Sequence, residues 1–328
     1  MSEPVFVVGM NGSGTSMMLD SLGRHPDLFA VPHETLMMPY IIAQADRFGD
    51  LNIDKNFRAY WRFAIDQMPV LRRIYAGKKP ELPEDWRAQP RSVAGVFEGI
   101  LGFLAAAQNK KRWCEKTPDH VQHIDMLSRI FPGARFIHMI RDGREVACSI
   151  TRRQKRRPEL IIYRWKKLVE MGQTAGSKLG DRYMELKYEE LTRDPQARMA
   201  EVCEFLRLEF SEQVLQSRMP QNPDRKRLAA GELGAIRRNT LKWPEYFDVG
   251  TVLRLESIGG RMLSQLGYRI ESTVGDCEPS GFQKQLWRAV DFIRYHTELK
   301  KTSQKYDSWL KILGKMLFSF KEYRSKRF

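Results

Sequence analysis

Residues 7–18, VVGMNGSGTSMM, set Gly9, Gly12 and Gly14 between an apolar run and the start of an amphipathic one. Upstream, residues 5–9 read as a short buried strand. Downstream, Ser16 to Arg24 carries Met18, Leu19 and Leu22 on one helical face and halts before Pro26. Strand, glycine turn and helix in that order is the setting of a phosphate loop, and it commits the chain to a sheet whose first strand points its carboxyl end at a ligand. The frame G-x-x-x-x-G-K-[ST] fits at Gly9 and Gly14, but Thr15 stands where the lysine belongs. A loop without that lysine has no side chain to reach the β- and γ-phosphates of a nucleoside triphosphate. It keeps the backbone N–H groups of Asn11 to Ser16, glycines that let the backbone approach an anion, and the positive end of a helix.

The rest of the chain alternates in the same way. LFAV at 28–31 fits a second strand ending at Pro32, and WCEKTP at 113–118 fits a strand tip with Thr117 as helix N-cap and Pro118 at the first helical position. The helix that follows carries Val121, Ile124, Leu127 and Ile130. RFIHMI at 135–140 is a strand running into Arg141, and YMELKY at 183–188 is another, after which Asp194 caps a helix bearing Met199, Val202 and Leu206. Residues 40–110 show mostly helical spacing, with Pro/Gly breaks near 76–90, and a further helix carrying Val252 to Leu266 closes at Gly267. The alternation predicts an α/β fold: a phosphate-loop-like parallel sheet flanked by helices over residues 1–275, with a helical insertion at 40–110 and a basic amphipathic helical extension over 276–328.

Charge narrows the partners. The chain carries 55 Lys/Arg against 40 Asp/Glu, and residues 281–328 alone hold twelve basic against four acidic side chains. RRQKRR at 152–157 is a second knot. Such patches draw phosphate, sulfate or anionic surfaces through their field. A basic nucleic-acid-binding protein is one alternative, yet no recognition motif or aromatic-interleaved basic surface accompanies the charge, so nucleic acid is not an expected partner. From 303 onward Tyr306, Trp309, Leu313, Met316, Leu317 and Phe320 recur every three or four residues, with Lys305, Lys311, Lys315 and Lys321 elsewhere on the wheel. That pattern suits packing on the domain or peripheral contact with an anionic membrane. No apolar run reaches membrane-spanning length and residues 1–10 lack a secretory start, so the expectation is a soluble, cytoplasmic protein with residues 303–328 as its one route to a membrane surface. Cys114, Cys148, Cys203 and Cys277 are scattered without C-x-x-C pairing, and His120 and His123 lack a third ligand nearby, so no metal is expected.

Five segments in chain order, GSGTS, HPDLFAVPHET, CEKTP, RFIHMIRDGREVACSI and LKYEELTRDP, resemble the sulfotransferase family that uses 3′-phosphoadenosine 5′-phosphosulfate, above all its tyrosylprotein and bacterial branches. The resemblance covers roughly residues 4–210. It implies in-line transfer of a sulfuryl group from that donor to an acceptor hydroxyl, without a metal. It assigns the 5′-phosphosulfate to the loop of Gly12, Ser13, Gly14, Thr15 and Ser16, the 3′-phosphate to Arg141 and Ser149, and a place beside the nucleotide to Tyr188. It makes Glu34 the general base and Lys116 the stabilising cation.

The residues themselves leave several of these roles open. Arg141 offers a planar fork suited to a phosphate. Ser149 lies eight residues on, about 12 Å along a regular helix, so both reach one phosphate only if it lies against the flank of that helix. His33 is a rival base, Asp142 fits a helix N-cap, and Tyr188 fits a core position as well as a nucleotide contact. Where the family carries Lys or Arg just before S-G-T, this chain has Gly12. Either Arg24 or one of Arg152–Arg157 takes that place, or turnover is slow, or the chain binds nucleotide without turning it over. Tyrosine, sugar, lipid and small-alcohol acceptors would all meet the same donor machinery, and the basic surface leans toward an acidic one.

Overall fold

The computed structural model describes residues 3–68, 71, 82, 86–217, 234–236, 242–272, 276–287 and 289. Its centre is a five-stranded sheet of β1 (Val5–Gly9), β2 (Leu28–Ala30), β3 (Arg112–Lys116), β4 (Arg135–Ile140) and β5 (Tyr183–Lys187), in the order β2-β3-β1-β4-β5. Every pairing is parallel, with Val7 opposite Lys116 and Gly9 opposite Met139. From β1 the chain crosses to the edge strand β2, returns to insert β3 beside β1, and then adds β4 and β5 on the other side. The crevice beyond β1 is therefore a topological switch point, where open parallel sheets take their ligands.

Both faces of β1 are covered, and alternation along the strand decides which side chain goes where. Val5 and Val7 face a core shared with Met18 and Leu22 of α1 (Thr15–Leu22), while Phe6 and Val8 face the opposite core, together with Trp113 and Phe136. Phe6 packs at 5.2 Å from Phe136 and 5.5 Å from Trp113, ring centre to ring centre. Burying each such ring contributes about 1.5–3 kcal/mol. Within the expected insertion, α2 (Asp54–Gln67) buries Phe57, Tyr60, Trp61 and Ala64, the spacing of a single helical face.

Beyond these lie α3 (Ile124–Ile130), α4 (Gly143–Gln154), α5 (Pro158–Gly176), α6 (Tyr188–Arg193), α7 (Pro195–Phe205) and α8 (Val249–Gln265). Two expected caps form: Asp142 accepts from the Arg144 N–H at 2.9 Å, and Asp194 from the Ala197 N–H at 3.1 Å. Thr117 stands at an N-cap position without capping, and a 3-10 turn, Pro118–His123, precedes α3. The Thr117 hydroxyl oxygen accepts from the Leu36 N–H at 3.3 Å instead of from its own helix, and the hydroxyl donates to the Glu115 carboxylate.

Residues 276–287 are tied to α5 by Lys166, whose Nζ meets Asp276 Oδ1 at 3.0 Å, and by Tyr163, whose hydroxyl donates to Glu278 at 2.9 Å. The amphipathic pattern at 303–328 lies outside the described residues, as do most of the breaks expected at 76–90. Among the described residues no helix is long and apolar enough to cross a membrane.

Candidate active site

After β1 the chain turns through Gly12 and Gly14, whose φ angles are 93° and 94°, and α1 begins at Thr15. The Ser13 N–H closes the turn onto the Met10 carbonyl at 3.0 Å. First-turn N–H groups of a helix have no carbonyl partner within it, and they carry its positive end. Ser13 is 1% exposed, and its hydroxyl has no hydrogen-bond partner among the described residues. Thr15 is buried and Ser16 half-buried.

Arg141 follows β4 directly and meets this loop. Its Nη1 donates to the Gly12 carbonyl at 3.1 Å, Nη2 lies 3.2 Å from Glu145, and its guanidinium carbon stands 4.4 Å from the centre of the Tyr188 ring. Trp165 of α5 holds the backbone in place, its indole N–H donating to the Arg141 carbonyl at 3.0 Å. The guanidinium is buried, and its Nε has no partner among the described residues. Tyr188 opens α6 and is buried under Arg141. Ser149 is buried on α4, and its carbonyl accepts from Arg153 Nε at 3.0 Å. Asp142 is committed elsewhere: its carboxylate grips Arg144 at 2.8 and 3.1 Å, and Arg144 reaches Glu256 at 2.6 Å.

Across the crevice, Lys116 ends β3 and Glu34 follows β2. Lys116 Nζ lies 2.6 Å from Glu34 Oε1, with the lysine side chain 9% and the glutamate 32% exposed. His33 is exposed beside them. Among the described residues no group of three or more His, Cys, Asp or Glu side chains is placed to hold a metal ion.

Residues 4–212 match the model of a protein family described as "Sulfotransferase family". The chain belongs to the sulfotransferase family. Among relatives of this chain, protein-tyrosine sulfotransferase 2 of Gallus gallus is 26% identical over 220 residues, covering 64% of this chain and 53% of the relative. Protein-tyrosine sulfotransferase 1 of Danio rerio is 26% identical over 218 residues, covering 64% of this chain and 55% of the relative. The chain thus spans about half the length of these relatives. In fold it is similar to the sulfotransferase domain of the Synechococcus PCC 7002 olefin synthase, with a TM-score of 0.52 and 19% identity over 82% of this chain and 96% of that one. The sulfotransferase domain from the curacin biosynthetic pathway gives 0.51 and 19%, over 82% and 99%.

Beside Gly12, where the resemblance leads one to expect a basic residue, side chains of α4 line the space: Val146 Cγ1 and Ile150 Cγ1 lie 3.7 and 3.8 Å from where a Cβ on residue 12 would sit, and one arginine joins them. Arg153 Nη2 lies 3.6 Å from where a Cβ on residue 12 would sit. Burial, and after it the charge of Arg141, pushes the Arg153 guanidinium below the ordinary arginine value. Two cations therefore converge on one loop residue, an arrangement that an anion between them would relieve. Arg24 does not compete for the place: it pairs with Asp20 at 3.8 Å, past the carboxyl end of α1. Position 153 falls in the basic knot at 152–157, but only the fold singles it out from its neighbours.

Gly14 has two reasons to lack a side chain. At φ 94° an L-residue is strained, and a Cβ would come 2.6 Å from Cδ2 of Tyr188. Gly14→Ala is therefore expected to cost about 1–3 kcal/mol for each of strain and overpacking, lowering the melting midpoint by roughly 5 °C or more. Differential scanning calorimetry checks this. A midpoint within about a degree of wild type would mean that the loop and Tyr188 are not packed as described.

Proposed function

We propose that this sulfotransferase transfers a sulfuryl group from 3′-phosphoadenosine 5′-phosphosulfate to an acceptor hydroxyl by in-line displacement. The observation that carries the reading is the 3.1 Å contact between Arg141 and the Gly12 carbonyl, which joins the glycine loop and a buried guanidinium in one crevice. The residues fit such a donor: Ser13 Oγ and Arg141 Nε are both buried polar atoms with no partner among the described residues, and both come into use if an anion binds there. When bound, the nucleotide supplies the activated sulfuryl group.

The chain's own residues would divide the work as follows. Gly12, Gly14, Thr15 and Ser16 hold the 5′ end through backbone N–H groups, and Ser13 through its hydroxyl. Arg141 and Ser149 hold the 3′-phosphate, with Tyr188 supporting the arginine from below. Arg153 supplies the positive charge that residue 12 does not, which favours turnover over nucleotide binding alone. Lys116 offers its ammonium group to the charge that develops on the leaving oxygen. As it does so it leaves Glu34, whose Oε1 becomes available to take the proton of the acceptor hydroxyl. The relatives' names suggest the acceptor, a tyrosine hydroxyl of a protein or peptide.

Thermal stabilisation by nucleotide tests the donor. 3′-Phosphoadenosine 5′-phosphate at 100 times its dissociation constant would add about 2.7 kcal/mol to the folded state, and Mg-ATP at the same concentration would add much less. Equal shifts from the two, or none from either, would remove the proposal.

A further inference from the structure

Glu34 and Lys116 arrive at the crevice on separate segments, and one buried carboxylate touches the neighbour of each. Glu115 is fully buried. Its Oε1 accepts from the Thr35 N–H at 3.2 Å, from the Thr35 hydroxyl at 2.9 Å and from the Thr117 hydroxyl. Its Oε2 faces His120 Nδ1 at 3.1 Å. Thr117 Oγ1 accepts in turn from the Leu36 N–H at 3.3 Å, closing the network. Thr35 follows Glu34 directly, and Thr117 follows Lys116.

A buried carboxylate is a poor choice for stability alone, because an apolar side chain of similar size usually packs as well or better. What the carboxylate adds is direction, since four donors must aim at it for it to remain charged. Burial by itself would push Glu115 up. The charge of His120, with hydrogen bonds from His120, Thr117 and the Thr35 backbone, outweighs burial and holds the carboxyl below its ordinary value. Neighbouring strand residues point to opposite faces, so with Lys116 aimed at Glu34, Glu115 is turned away from it.

We infer that Glu115 is a positioning residue: it clamps the Glu34 segment to the tip of β3 and so sets the geometry of the Glu34–Lys116 pair. The inference rests on the roles given to those two residues under the proposed function. Its strength is that three of the hydrogen bonds converge on one oxygen of a single side chain, with the Leu36 N–H to Thr117 contact beside them, between elements that contribute one reacting group each.

The test compares Glu115→Ala and Glu115→Gln with wild type, using 3′-phosphoadenosine 5′-phosphosulfate and a tyrosine-containing acidic peptide, with Glu34→Gln and Lys116→Ala as references. Glu115→Ala should lower kcat by about 100-fold, the scale of a misplacement of roughly 1 Å, with the affinity for 3′-phosphoadenosine 5′-phosphate within about threefold of wild type. Glu115→Gln keeps an acceptor oxygen for Thr35 and Thr117, so it should stay within about tenfold of wild-type kcat. In a crystal structure of Glu115→Ala the Lys116 Nζ to Glu34 Oε1 separation should open from 2.6 Å. An unchanged separation in that crystal overturns the inference whether or not the peptide is an acceptor.

Loss of nucleotide affinity in step with kcat would also overturn it, because the effect would then be general damage. If Glu34→Gln and Lys116→Ala run at wild-type rates while the pair still opens in Glu115→Ala, the clamp stands and the catalytic roles fall. Should Glu115→Ala fail to fold, Thr35→Val removes one donor, and Thr117→Val removes one donor and the acceptor of the Leu36 N–H. A fall in kcat at unchanged nucleotide affinity in those variants supports the clamp, and wild-type kcat in both overturns it.

Discussion

Arg141→Ala is expected to raise the dissociation constant for 3′-phosphoadenosine 5′-phosphate by about 10²-fold to 10³-fold, or about 3–4 kcal/mol, by isothermal titration calorimetry at fixed salt. A hydrogen bond to a charged group is worth about 1.5–3 kcal/mol, and a guanidinium fork makes two. Burial of Arg141 places its effect at the high end, because water does not replace the lost donors. Arg141→Lys keeps the charge but not the fork, so an intermediate loss of about tenfold should follow. The same variants should bind adenosine 5′-phosphosulfate, which lacks the 3′-phosphate, almost as wild type does. If Arg141→Ala weakens both ligands equally, Arg141 reads something other than the 3′-phosphate, or acts only by holding Gly12.

That holding role needs its own control. Arg141 pairs with Glu145, which also accepts from the Trp243 N–H at 3.4 Å, and it supports the Gly12 carbonyl as well. A melting curve of Arg141→Ala separates a loosened loop from a lost ligand contact: local damage shifts the midpoint without ligand, whereas a lost contact reduces only the shift that ligand produces.

What could be read from the chain beforehand was local. β1 is a short apolar run because a parallel strand covered on both faces asks for no alternation, and Val5 to Val8 satisfy both cores at once. The loop was readable from glycine spacing, since Gly12 and Gly14 hold backbone angles that other residues avoid. Asp142 and Asp194 were readable as caps because a cap acts on its own next turn. Strand order was not, as a parallel sheet joins strands through crossovers whose pairing depends on the whole fold. Nor was the contact of Arg153 with the space beside Gly12, which closes between α4 and the loop after β1. Thr117 illustrates the limit: its cap position was legible, but the bond it makes depends on Glu115 being buried beside it. Propensity describes what a side chain can do nearby, and burial decides which acceptor it takes.

The largest effects on turnover are expected at Glu34 and Lys116. Glu34→Gln removes the proton acceptor, and general-base loss is worth about 10²-fold to 10⁴-fold in rate. Lys116→Ala removes charge stabilisation at the leaving oxygen, on the scale of an oxyanion donor, about 10²-fold to 10³-fold in kcat. Glu34 is not assigned to the nucleotide, so Glu34→Gln should change the affinity for 3′-phosphoadenosine 5′-phosphate by no more than about threefold, which separates it from Arg141→Ala; the leaving oxygen that Lys116 meets becomes a 5′-phosphate oxygen of that product, so Lys116→Ala should weaken its binding as well. Because the two side chains touch at 2.6 Å and one must release the other, their effects should not add. The double variant should fall no further than the worse single one. Single-turnover measurement of sulfate transfer distinguishes the cases: full additivity would mean two independent contributions and no exchange between the pair, and wild-type rates in both single variants would place the chemistry on other residues of the crevice.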